Sequence, residues 1–146
     1  MSTSPQQLQP AVAQALAQWH EMVERKDFSA LHRIVHPDAV FRSPMANAPY
    51  GPAEALILAL STVIQVFEDF VYHRQLATDD GLSVVLEFSA RVGDKNLKGI
   101  DLIRFNAQGQ IVEFEVMVRP LSGLQALGAE MGARLSNQLP AFKQKA

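Results

Sequence analysis

The chain has 146 residues, 48% of them hydrophobic and 19% charged, and a net charge of −2. These values describe one globular domain with a single core. They exclude the clustered Lys/Arg that a nucleic-acid groove or an anionic membrane surface would need. The absence of cysteine removes disulfides, thiolate catalysis and Cys-ligated metals.

In chain order, residues 1–4 read as a frayed tail to a single domain spanning 1–146. The opening MSTSPQQLQP has neither the basic nor the apolar region of a secretory signal. No apolar run approaches the ~20 residues of a membrane span, so a cytoplasmic protein is expected. A helix starts at Ser4-Pro5 or near Gln9 and runs to about Lys26, with Val12, Leu16, Trp19 and Val23 on one face. Asp27 caps a second, short helix over Phe28 to Val35, which Pro37 ends. Ala39 to Ser43 is a short strand, with Phe41 and Ser43 on one face and Val40 and Arg42 on the other. After a loop at Met45 to Gly51, Gly51-Pro52 opens a third helix that ends near Val66.

The period then changes from helical to two. Val71 to Thr78 is a strand, and Asp79-Asp80-Gly81 turns the chain. Leu82 to Val92 alternates, with Val84, Leu86, Phe88 and Ala90 opposite Ser83, Glu87, Ser89 and Arg91. Two further strands, Leu97 to Phe105 and Gln110 to Val118, flank the turn at Ala107-Gln108-Gly109. A helix over Leu121 to Leu139, stopped by Pro140, closes the chain. Its Gly123, Gly128 and Gly132 each cost about 1 kcal/mol relative to alanine, which reads as a weak, partly mobile helix; the alternative is close packing of the Gly128/Gly132 face, or a lid over the barrel mouth. Helices followed by a strand meander give an α+β fold, helices on one face of an antiparallel sheet.

One acid stands out. Asp101 shares a strand face with Ile103 and Phe105, so it is either a pocket acid with a raised pKa or a buried carboxylate satisfied by hydrogen bonds. The Trp19 indole and the Ser43 hydroxyl are its expected partners. Ile100 and Leu102 make the strand's other face apolar too, and a strand apolar on both faces is covered on both. A second copy of the chain is the expected cover. Glu113 and Glu115 are expected outside, paired with Arg104 and Arg91. His32 and His36 lie four apart, but no third ligand accompanies them, so no metal site is expected.

Two stretches carry a family resemblance. LAQWHEMVERKDFSALHRIVHPDAVFRSP resembles the helix–helix–strand opening of the nuclear transport factor 2-like superfamily, and GIDLIRFNAQGQIVEF resembles its penultimate hairpin. The resemblance implies a cone-shaped α+β barrel, a curved antiparallel sheet with helices on its concave side plus a C-terminal helix. It also implies a homodimer through the outer sheet face. The superfamily includes ketosteroid isomerases, limonene epoxide hydrolases and the SnoaL-like polyketide cyclases. An isomerase of this kind places an acid where Asp101 stands, a tyrosine where Trp19 stands and a basic aspartate where Ser43 stands. The epoxide hydrolases have an arginine and a second carboxylate where this chain has Gly99 and Val116.

Together these readings give an apolar pocket for a small hydrophobic or polyketide-like molecule. Asp101 is the candidate acid of cofactor-free isomerase, cyclase or hydrolase chemistry. Trp19, Phe41, Ser43, Ile103, Phe105, Phe114, Val116 and Val118 are the candidate ligand-binding residues. The alternative is a non-catalytic ligand-binding or protein-interaction module.

Overall fold

The computed structural model describes residues 7–136, 138 and 142. The expected tail, the Ser4-Pro5 start and the Pro140 stop lie outside the described residues. Helix α1 covers Pro10–Arg25 and begins at its proline, whose missing N–H would have had no partner in the first turn. It buries Val12, Ala15, Leu16, Trp19 and Met22, and Lys26 closes it in the left-handed conformation.

The second expected helix is reduced to one 3-10 turn, Leu31–Ile34. Asp27 caps no helix; its carboxylate accepts the Ser29 N–H at 3.0 Å in a local turn. Strand β1 (Val35–Arg42) then starts earlier than Ala39 and runs through Pro37. The proline is tolerated because β1 is an edge strand whose register breaks between Val35 and Val40. Helix α2 (Ala53–Val66) follows as expected and buries Ala55, Leu56, Ala59, Leu60 and Ile64.

The meander consists of β2 (Glu68–Ala77), β3 (Ser83–Val92), β4 (Lys95–Phe105) and β5 (Ile111–Arg119). These strands pair antiparallel, and β1 joins β5 in parallel, giving one curved sheet in the order β1-β5-β4-β3-β2. Helix α3 (Leu121–Leu135) packs across β4 and β5 and against α2. The architecture is the α+β fold expected from the element order, in the cone shape that the family resemblance implies. No described helix is long and apolar enough to cross a membrane.

The core lies between the helices and the inner sheet face, where Phe88, Phe105, Phe114, Leu86 and Ile103 are essentially inaccessible. The β4–β5 turn depends on Gly109, which sits at φ +81° against the Ala11 backbone at the start of α1. A side chain there would meet both backbone strain and a collision.

The outer face carries ion pairs. Glu113 binds Arg42 and Arg104. Arg91, expected near Glu113 or Glu115, instead holds Glu68 and Asp69. The whole of β4 separates it from β5, whereas Glu68 is its neighbour in register on β2. Glu87 accepts two hydrogen bonds from Arg74 and an ion pair from Lys98, which hold its carboxyl down to about 2.

Candidate functional site

A cavity of about 260 Å³ lies between α1, α2, α3, the β1–α2 loop and the inner sheet face. This lies just below the roughly 300–1,000 Å³ typical of small-molecule sites. Its wall is mainly aromatic and aliphatic. Trp19 stacks on Phe28 with ring centroids 5.0 Å apart, and Phe67 stacks on Phe70 at 5.5 Å.

Asp101 lines this cavity from the middle of β4, opposite Leu86 of β3 and Val116 of β5. It is 6% exposed. Two residues earlier, Gly99 leaves room for the Phe88 ring; a Cβ there would stand 2.7 Å from Phe88 Cζ. An arginine at that position has no space.

The partner of Asp101 is neither Trp19 nor Ser43. Tyr72, on β2, donates its hydroxyl proton to Asp101 Oδ2 at 2.5 Å. The Trp19 indole N–H donates to the Tyr72 oxygen at 3.1 Å. Indole nitrogen is a donor only, so it occupies an acceptor site of Tyr72 and leaves the phenolic proton for the carboxyl. The Ser43 hydroxyl is turned away, accepting the Met45 N–H at 3.0 Å. Among the described residues nothing hydrogen-bonds Asp101 Oδ1, and that atom is not sealed off from solvent. It is the polar atom the site offers to a ligand.

Burial dominates the electrostatics. It pushes the Asp101 carboxyl up to about 7, against the opposing pull of the Tyr72 hydrogen bond. Burial and then the neighbouring carboxylate drive the Tyr72 phenol well above its ordinary value. Near neutral pH the pair therefore holds one shared acidic position inside an apolar enclosure.

Of the residues singled out in the sequence, Trp19, Phe41, Ser43, Asp101 and Val116 line the cavity. Ile103, Phe105 and Phe114 lie in the core behind the wall, and half-buried Val118 lines an open depression with Glu87 and Met117. Tyr72 escaped the sequence reading. The signal available was the alternation of Phe70 and Tyr72, which puts both on the inner face of β2. No group of three or more His, Asp or Glu side chains among the described residues could hold a metal ion. His36 instead uses Nδ1 to accept the Asp38 N–H.

Helix α3 forms one side of the cavity, and its glycines are not equivalent. At Gly128 a Cβ would collide with the Met45 thioether, 2.6 Å from Cε and 2.9 Å from Sδ. At Gly123 it would lie 2.7 Å from Leu97 Cβ. Close packing, rather than a weak helix, accounts for both.

The SnoaL-like domain family matches residues 16–114 of the chain. A steroid delta-isomerase from Pseudomonas aeruginosa is 62% identical, with a TM-score of 0.87 over 91% of this chain and 97% of its own. An uncharacterised protein with a cystatin-like fold from Silicibacter pomeroyi DSS-3 is 29% identical, with a TM-score of 0.83 over 95% and 98%. An NTF2-like protein of unknown function from Mesorhizobium loti shares the fold at 16% identity, with a TM-score of 0.67 over 82% of this chain and 100% of its own. No curated protein matches the sequence. With the cone fold, the enclosed acid and the matched span together, the chain belongs to the SnoaL-like family within the NTF2-like superfamily.

Proposed function

We propose that the cavity binds a flat, mainly apolar molecule through one carbonyl-type acceptor, and that Asp101 acts on it as an acid without a cofactor. The observation that carries this reading is the free Oδ1 of a buried carboxyl, set in an aromatic wall, with its other oxygen fixed by Tyr72. A protonated carboxyl there donates to the acceptor and stabilises negative charge that develops on it. Likeness to the Pseudomonas steroid delta-isomerase supports a ketosteroid or similarly fused ring system as the ligand. In this reading Tyr72 supplies from β2 the hydroxyl that the isomerase pattern places where Trp19 stands, and Trp19 supports it.

A second reading, binding without chemistry, is favoured by Ser43. The isomerase pattern needs a basic aspartate there, and Asp101 is the single carboxylate among the described lining residues. One experiment separates the two. The protein is mixed with a β,γ-unsaturated ketosteroid, and conjugation is followed by ultraviolet absorbance while binding is followed by fluorescence of Trp19, the sole tryptophan. Turnover that Asp101→Asn abolishes while binding persists supports the acid role. Turnover unchanged in the variant refutes it, and binding without turnover leaves the second reading.

We also propose a homodimer through the outer sheet face. Half-buried Ile100 and Leu102 beside Met117, 45% exposed, support it as an apolar strip that a second copy would cover.

A further inference from the structure

We propose that the ligand enters over Gly132, between α3 and the Met45 loop, and that the missing side chain at Gly132 sets how long a ligand the cavity admits. The inference rests on the binding reading above. Glycine inside a helix costs stability relative to alanine, so an interior glycine calls for a reason. Gly128 has one, since Met45 occupies the volume its side chain would fill. Gly132, one turn further along the same face, has no packing reason among the described residues: a Cβ there would meet none of their atoms within 4 Å. Yet Gly132 lines the cavity and is exposed.

The exposed lining residues are Met45, Gly132 and Ser136; every other lining residue is buried or half-buried. All three belong to this one margin of the cavity, so among the described residues this is where the cavity meets solvent. Met45 closes it as far as Gly128 and stops short of Gly132. The space over Gly132 is therefore continuous with the cavity and is filled by no side chain of the described residues. A large side chain at that position would lean toward the helix N-terminus, over the gap beside Met45.

The test compares two ketones of different length, β-tetralone with two rings and a conjugated ketosteroid with four. Binding is read from Trp19 fluorescence at equilibrium and by stopped flow. Gly132→Phe is expected to weaken the steroid by about tenfold or more and slow its association, with tetralone changed less than about twofold. Gly132→Ala, whose methyl strikes nothing, is expected to bind both ketones as wild type does and to melt at the same or a higher temperature. Gly132→Leu, a smaller obstruction, should fall between and serves if the phenylalanine variant does not fold. Equal loss of both ketones, or unchanged steroid binding in the folded bulky variants, overturns the inference. A wild-type protein that binds neither ketone removes the binding reading and this entrance with it, whereas tetralone binding alone removes only the entrance.

Discussion

Replacing Asp101 by asparagine should make the protein more stable, and by an amount that depends on pH in a fixed direction. Raising the carboxyl from 3.8 to about 7 makes its ionisation in the fold cost roughly 4 kcal/mol. Below about pH 4 the carboxyl is protonated folded or unfolded, and nothing is lost. Between about pH 4 and 7 the folded chain keeps a proton that the unfolded chain has released. Wild-type stability then falls with pH by up to about 1.4 kcal/mol per pH unit and levels off above the folded value. Asparagine keeps the shape and the acceptor for Tyr72 but does not titrate. The variant's advantage should grow from near zero at about pH 4 to roughly 4 kcal/mol at about pH 8. Urea unfolding of both proteins across that range measures the difference directly. Glu87, held low by Arg74 and Lys98, contributes the opposite slope, but it does so in both proteins and cancels. Parallel stability curves, or an advantage that shrinks as pH rises, would refute the assignment of Asp101 as a carboxyl raised by burial.

Tyr72→Phe removes the one hydrogen bond that favours the ionised carboxyl, so the Asp101 midpoint should move further up, read by carbon-13 NMR of the side-chain carboxyl. Phe114→Ala should cost about 3–5 kcal/mol in urea unfolding, because its ring is fully buried against Trp19 and Phe41. Val116→Ala, at the cavity wall where space already exists, should cost only about 1–2 kcal/mol, and equal losses would contradict the division into core and cavity. Ile100→Asp should convert a species of twice the chain mass to one of 16.1 kDa in sedimentation; a wild-type protein already at the smaller mass at micromolar concentration would defeat the dimer.

Much of the fold was readable because the informative patterns are local. The alternation of Val84, Leu86, Phe88 and Ala90 fixes the inner face of β3, and Gly109 marks the hairpin where only a residue tolerant of positive φ fits. What could not be read depended on tertiary placement. Pro37 looks like a stop signal until β1 is known to be an edge strand, where a missing N–H harms nothing. Asp101 was visible as a lone acid among apolar neighbours, but its partner was not. Tyr72 and Asp101 come together across the sheet with β3 between them, and the register of β2 breaks between Tyr72 and Gln75. The unequal glycines of α3 look alike in sequence. They separate only once Met45, 54% exposed on a distant loop, is seen to cover one and not the other.

The parallel seam between β1 and β5 bears on the order in which the protein is assembled. Arg42 and Glu113, which face each other across it, are 71 residues apart in the chain. A chain emerging from synthesis holds α1, β1 and α2 before any strand exists for β1 to join. Apart from the local bridge between Phe41 and Tyr50, its first strand must wait for a partner strand until the last one, β5, has been made. Phe41 and the loop that carries Ser43 and Met45 are attached to that waiting strand. The enclosure around Asp101 therefore closes from both termini at once, and a chain truncated before β5 loses the cavity along with the strand.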